Sequence, residues 1–257
     1  YTQATLFYNS QTPTEQAHIA AAFRFELSKL TVPAIRERMV ASLRNASEEL
    51  ARKVADGLGI KTLPDALPRA MENPAKPEVT LSPSLSLLAR PGDGSIRGRK
   101  VAMLIAPGVA AKSVAQVRAA LLAEGAVPRL VATHVGAIEA DDHSMLDADA
   151  SLENEPGFLF DAMVLPDGEA AVAALAKDAH TMDFIRDQYG HGKSVWVLGA
   201  SKKLLAKAGV HEKLGSGKDD PGLIFSAGND VEKACPAFIR AIARHRHPER
   251  ETDPPTV

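Results

Sequence analysis

Residues 193–206, Lys-Ser-Val-Trp-Val-Leu-Gly-Ala-Ser-Lys-Lys-Leu-Leu-Ala, constrain the fold more than any other stretch. Val195, Trp196, Val197 and Leu198 run apolar without alternation, as a strand buried on both faces must. Gly199 closes the run, and Leu204 and Leu205 begin a helical stripe. In several α/β enzymes such a strand–turn–helix unit is a nucleophile elbow, which holds a Ser or Cys in a strained, exposed position. The elbow position here carries Gly199, which fits the turn's dihedrals without cost and has no side chain to attack with. The scaffold is shaped for chemistry and lacks its nucleophile.

The same pattern recurs on both sides of this unit. Residues 101–106, 129–133, 161–166 and 223–226 read as further strands, and the segments between most of them carry helical stripes. Val114, Val117, Leu121 and Leu122 mark one helix, stopped at Gly125. Two more are expected near 168–177 and 180–189, and a last one carries Phe238, Ile239 and Ile242. Residues 135–157 are polar and acidic, and read as a short hairpin or excursion. Strands alternating with helices imply a parallel sheet covered on both faces, with right-handed crossovers. The expected fold is α/β, a flavodoxin-like doubly wound parallel sheet of about five strands.

A helical segment precedes it. Thr12-Pro13-Thr14-Glu15 is a capping box with proline at the first helical position, and Ile19, Phe23, Leu27 and Leu30 follow at helical spacing. A second helix starts near Pro33, and a third near Ser47, a good N-cap. Residues 1–10 show no clear period. Three helices of this size are too few for a convincing independent core, so their stripes are expected to need another surface. Six prolines interrupt residues 60–97, which read as an arm or linker. The expected organisation is therefore a helical segment over 1–59, an arm over 60–98, the α/β domain over 99–247 and a mobile tail over 248–257.

Charge and cysteine content narrow the function classes. A net charge of −2, from 30 basic and 32 acidic residues, gives no reason to expect nucleic acid or an anionic membrane as partner. No apolar run reaches membrane-spanning length. Cys235 stands alone, so no intrachain disulfide forms, which fits a reducing compartment. A cytoplasmic location is expected. The chain begins at Tyr1, which reads as a fragment start and leaves secretion of the parent open.

Two stretches resemble one family. Tyr1-Thr2-Gln3-Ala4, Phe7-Tyr8-Asn9-Ser10, Glu15-Gln16-Ala17-His18-Ile19, Phe25-Glu26-Leu27 and residues 32–40 resemble the end of a monofunctional haem catalase core. Residues 99–247 are similar to the extra C-terminal domain of large-subunit catalases, of the class I glutamine amidotransferase-like superfamily, with Pro83-Ser84-Leu85-Ser86-Leu87 at the junction. The resemblance implies a tetrameric parent that converts hydrogen peroxide to water and oxygen at a haem. It also implies that the distal histidine and asparagine and the proximal tyrosinate lie upstream, since none of Tyr1, Tyr8 or Tyr189 matches the tyrosinate position. Active amidotransferase-like relatives place a Cys where this chain has Gly199. Many have an acid after the first strand, where Pro107-Gly108-Val109-Ala110-Ala111 has none, and their Pro-Gly-Gly turn appears here as Pro166-Asp167-Gly168.

Other residues invite chemistry and have a plainer reading. Ser201 could stand in as nucleophile, but a hydroxyl in a first helical turn usually bonds to backbone, and serine also needs a base and an oxyanion hole. His191 and His211 lie in Gly- and Lys-rich loops and are expected to be solvated. Asp141-Asp142-His143 offers three metal-ligating groups, yet consecutive loop residues rarely converge on one ion. His245 and His247 are expected at a helix end that favours positive charge. Cys235 could sense oxidants if exposed and acidic, but a lone Cys is more often buried and inert. Pro107-Gly108 belongs to neither a dinucleotide fingerprint nor a Walker motif.

No residue is therefore expected to be catalytic, cofactor-binding or metal-binding in this segment. The expected role is structural: a region that stabilises the oligomer and haem core of a catalase, with the core and the other subunits of a homotetramer as partners. A compatible expectation is a holdase-type chaperone, because the first three helices would expose apolar stripes to unfolded client proteins. The alternative from another class is a small-molecule hydrolase or deglycase-like activity at the degenerate elbow.

Overall fold

A computed structural model describes residues 1–71, 76–89, 92–228 and 230–255. The chain divides into two compact units, Tyr1–Pro91 and Gly92–Val257. The expected arm is thus split between them.

The first unit is helical: α1 (Thr2–Asn9), α2 (Pro13–Ser28), α3 (Pro33–Arg44) and α4 (Glu48–Gly57). The capping box at the start of α2 forms as its residues demand. The Glu15 N–H donates to Thr12 Oγ1, and the Thr12 N–H donates to Glu15 Oε2 at 2.8 Å. Ser47 caps α4 through the Leu50 N–H at 3.2 Å. The first helix has no counterpart in the sequence reading, because residues 2–9 carry only a weak apolar period. Its Tyr8 nonetheless enters a small core with Ala20, Leu27, Val40, Leu43, Leu50 and Val54. This corrects the expectation that the helices could not form a core: they bury one face against one another. Leu27, expected to be exposed, lies inside.

The second unit is a six-stranded sheet with helices. In chain order its elements are β1 (Lys100–Leu104), α5 (Ala111–Ala123), β2 (Val127–Ala132), β3 (Gly136–Glu139), β4 (Met145–Ala148), β5 (Ala150–Ser151), β6 (Ala162–Leu165), α6 (Glu169–Leu175), α7 (Ala179–Gly190), β7 (Ser194–Leu198), α8 (Lys202–Lys207), β8 (Leu223–Ser226), α9 (Val231–Ala243) and α10 (Glu249–Thr252). The strand order is β5-β2-β1-β6-β7-β8, and every pairing in it is parallel. Five strands fall where the apolar runs put them, in flavodoxin-like order. The sixth, β5, is a two-residue edge strand too short to leave a pattern. Residues 136–148 form the expected hairpin, with Ile138 paired to Leu146. Every residue of β6 and β7 is buried, as coverage of both sheet faces requires. Trp196 on β7 packs on Phe238 of α9, ring centroids 5.2 Å apart, and its indole N–H donates to Ser226 Oγ at 2.9 Å.

The chain's end departs most from expectation. Residues 248–257 read as a mobile tail, but α10 folds onto the sheet unit and Arg250 is only 7% exposed. Its guanidinium donates to both carboxylate oxygens of Asp220, at 2.7 and 3.2 Å, and to the Lys193 carbonyl at 2.8 Å. A polar, proline-bearing sequence hides this because the anchor is a charge pair and not an apolar stripe.

Candidate functional site

The strands end, on their carboxyl side, in four loops that meet at the switch point between β1 and β6, where sheets of this kind bind ligands. Gly199 sits there after β7 with φ +51°, the left-handed conformation of an elbow. The space above it is occupied. A Cβ built at 199 would overlap the carboxylate of Asp167, and so would one built at Gly228 on the loop after β8. Asp167 Oδ1 accepts from the Gly168 N–H at 2.8 Å and from the Ala200 N–H at 2.8 Å. The residue that replaces the middle of a Pro-Gly-Gly turn thus lies over the residue that replaces the nucleophile. Beside it is a crevice of about 300 Å³ lined by Ala110, Lys112, Ser113, Gln116, Asp167 and Gly228.

The loop after β1 is equally committed. The Gly108 N–H donates to the Glu139 carbonyl at 2.8 Å, Val109 N–H to Ala106, Ala110 N–H to the Asp167 carbonyl at 2.9 Å, and Ala111 N–H to Asp141 Oδ1 at 2.9 Å. A phosphate-binding loop needs such amides free, and these four are spent. Ser201 is buried, and its hydroxyl donates to backbone as expected, but to the carbonyl of Pro166 after β6 and not within its own turn.

The Asp141-Asp142-His143 trio diverges. Asp141 turns inward to the Ala111 N–H, Asp142 accepts from the Ser144 N–H at 2.9 Å, and His143 pairs with Glu139 at 2.6 Å. Among the described residues no group of three or more His, Cys, Asp or Glu is placed to hold a metal. His191 and His211 are exposed, as expected. Cys235 is buried, and burial, with the nearby Glu124 charge, pushes its thiol pKa up, away from the thiolate a sensor needs.

His245 and His247 reverse the expectation of positive charge. Burial lowers both pKa values, with Arg99 adding to the effect at His245 and Arg250 at His247. Arg99 Nη1 donates to His245 Nδ1 at 3.0 Å, so that nitrogen is an acceptor. His247 is fully buried, 2.9 Å from Ser194 Oγ through Nε2, with a pKa of about 4. Lys193 is buried beside them, its ammonium donating to the Phe158 and Phe160 carbonyls, and burial with Arg246 brings its pKa down to about 8.

The larger cavity lies elsewhere, in the helical unit. It measures about 930 Å³ and is bordered by α1, the corner between α3 and α4, and described arm residues, with Arg44, Arg69, Lys76 and Glu78 at its rim. Most of its lining is uncharged, with Tyr1, Leu6, Met71 and Val79 among it, and no described lining residue is a His or Cys.

Fold and site together define a flavodoxin-like α/β unit with a filled elbow, joined in one chain to a four-helix segment. Two family models match: residues 1–58 match "Catalase-related immune-responsive", and residues 97–252 match the "C-terminal domain found in long catalases". The chain is 39% identical over 217 residues to Catalase C of Rhizobium meliloti, covering 84% of this chain and 30% of that protein. It is 38% identical over 253 residues to Catalase HPII of Pseudomonas putida, covering 98% and 33%. It is 30% identical over 254 residues to Catalase-B of Dictyostelium discoideum, covering 98% and 35%. The chain belongs to the large-subunit, or long, catalases and carries their C-terminal domain. It spans about a third of the length of the curated relatives it matches.

Proposed function

We propose that this chain is the non-catalytic C-terminal region of a tetrameric haem catalase whose complete subunit converts hydrogen peroxide to water and oxygen, and that it stabilises the assembled enzyme. The match of residues 97–252 to the domain of long catalases carries the reading. The elbow geometry supports the non-catalytic part, since Asp167 fills the position where a nucleophile would attack. The same geometry speaks against hydrolase or deglycase-like chemistry, which needs that position and its amides free.

The residues described here do not fit a haem pocket. Tyr8 is buried in the helical core, where burial raises its pKa and disfavours a tyrosinate. Tyr189 lies against the Arg250 guanidinium, 4.2 Å from its ring centroid, and burial raises its pKa too. Tyr1, at the rim of the larger cavity, is half exposed.

The helical unit supports a second role, holding unfolding proteins. Phe7, Phe25, Val32, Ile35 and Met39 are exposed there, the first three by about half or more. Ile35 and Met39 are the stripe residues expected to be exposed, whereas Leu27 of the first stripe faces inward and Phe7, Phe25 and Val32 lie outside the expected stripes. Such side chains bind other apolar surfaces, whether a catalase core or an unfolded client.

Light scattering from a thermally unfolding client enzyme tests this reading with the full chain and a variant carrying Phe25→Ser, Ile35→Ser and Met39→Ser. Suppressed aggregation at near-equimolar chain, lost in the variant while its circular dichroism is unchanged, is the expected result. Suppression equal in both proteins would remove the helical unit from the account, and none in either would remove the holding role. Peroxide consumption measured on the same apo sample is expected to be nil; turnover would overturn the non-catalytic assignment.

A further inference from the structure

We propose that the α/β unit contains a two-donor carboxylate-binding cradle that the chain keeps closed with its own Asp167, and that the cradle takes a small monocarboxylate when that side chain is withdrawn. Two backbone amides from different loops, Gly168 after β6 and Ala200 after β7, converge on one oxygen at 2.8 Å each. Paired N–H donors of this kind, one of them on the residue following the elbow position, form the oxyanion hole of elbow enzymes. Here the oxyanion is supplied from within.

The surroundings are cut to a carboxylate. Gly199 and Gly228 border Asp167 from the loops after β7 and β8, and neither position could hold a Cβ without overlapping it. Gly168 has a φ of +133°, which only glycine adopts readily, and a Cβ there would overlap the Gly108 carbonyl. The Ala110 N–H holds the Asp167 backbone carbonyl at 2.9 Å, so the loops after β1 and β6 stay together when the side chain is removed. The crevice with Lys112, Ser113 and Gln116 gives the cradle a route to solvent and a cation near its mouth. The carboxylate thus takes both the volume of a side chain at 199 and the two donors that would serve an acyl oxyanion.

Asp167→Ala deletes a carboxylate, and formate is the ion that replaces it. The full chain, its Asp167→Ala variant and its Asp167→Asn variant are followed by thermal unfolding in sodium formate, against sodium chloride at equal ionic strength. The Asp167→Ala variant is expected to have a lower Tm, with at least half of the loss recovered, saturably, by formate and not by chloride. The wild type and Asp167→Asn, which keep an acceptor in the cradle, should show no such response. A lowered Tm that formate leaves unchanged, or a formate response as large in the wild type, would overturn the proposal. Should Asp167→Ala fail to fold, amide exchange in Asp167→Asn decides. A weaker acceptor should speed exchange at Gly168 and Ala200 together and leave neighbouring amides alone; unchanged protection at both would defeat the idea.

Discussion

Arg250 and Asp220, thirty residues apart, form a two-bond ion pair in the interior of the α/β unit, at 2.7 and 3.2 Å, with Asp220 fully buried at its side chain. The remaining valences are filled as well. Asp220 Oδ1 accepts from the Gly222 N–H at 2.8 Å, and Arg250 Nη1 donates to the carbonyls of Lys193 and Tyr189. The pair ties the chain's last helix to the loop before β8 and to the residue that enters β7.

Removing one partner of such a pair leaves a buried charge with no counter-ion, which costs about 3–5 kcal/mol. Arg250→Ala is therefore expected to lower the urea midpoint of the α/β unit strongly, and truncation after Pro248 to do the same. Trp196, the chain's single tryptophan and fully buried, reports the transition by fluorescence. Arg250→Lys should recover little, since one ammonium cannot match the planar fork that Asp220 and two carbonyls accept from. A midpoint unchanged by truncation would make the anchor irrelevant.

His247 gives the same unit an acid-sensitive element. Its pKa is about 4 in the fold, against an ordinary 6.5, because burial opposes the charged form and Arg250 adds to the effect. Between those two values the unfolded chain binds the proton and the folded chain does not, so stability rises with pH there. The contribution is complete above pH 6.5 and is lost as pH falls toward 4, by about 3 kcal/mol in all. Urea midpoints read through Trp196 should fall across this window. His247→Gln should be less stable at pH 7 and show a flatter slope; an equal slope would assign the pH dependence to other groups.

Most of the sheet unit was legible in the sequence because its central strands are continuous apolar runs, and burial on both faces leaves no other pattern. Capping signals placed α2 and α4 for the same reason: Thr12, Glu15 and Ser47 act locally. What stayed hidden depends on partners distant in the chain. Asp167 looks like an ordinary turn residue until Gly199, thirty-two positions on, is seen beneath it. Arg250 looks like a tail residue and His247 like a charged helix-end residue, because guanidinium and imidazole mark the surface unless a buried partner waits for them. The one available signal at the site was the coincidence of two departures from the family's pattern, at 167 and at 199.

Glu15 sets the acid limit of the helical unit. Its Oε2 accepts from the Thr12 N–H, the Thr12 hydroxyl and the Ser86 hydroxyl, and its Oε1 from the Leu87 and Leu88 N–H groups at 2.9 and 3.2 Å. Burial alone would raise its pKa, but these donors win and hold it at about 2, against an ordinary 4.5. The stabilising contribution is present above pH 4.5 and is lost as pH falls toward 2. Amide exchange at Leu87 and Leu88 should therefore speed up, relative to the intrinsic rate, as pH falls through that range. In Glu15→Gln the two amides should already be weakly protected at pH 7, with no further change on acidification. Protection that is independent of pH in the wild type would show that the arm is held by other contacts.

The side chains at positions 167 and 199 should exclude one another. Gly199→Ala in the wild type meets two costs, the left-handed backbone at φ +51° and overlap with the Asp167 carboxylate. The first is about 1–2 kcal/mol, and the second adds displacement of a carboxylate from the Gly168 and Ala200 amides. In an Asp167→Ala background only the first cost remains. A double-mutant cycle on urea stability should therefore show a coupling of about 1–3 kcal/mol, with Gly199→Ala less harmful once Asp167 is gone. Additive losses would mean that the loop relaxes freely around a new side chain and that the aspartate does not guard the elbow. A large coupling would mean that a side chain can be restored at 199 only once the position above the elbow has been emptied.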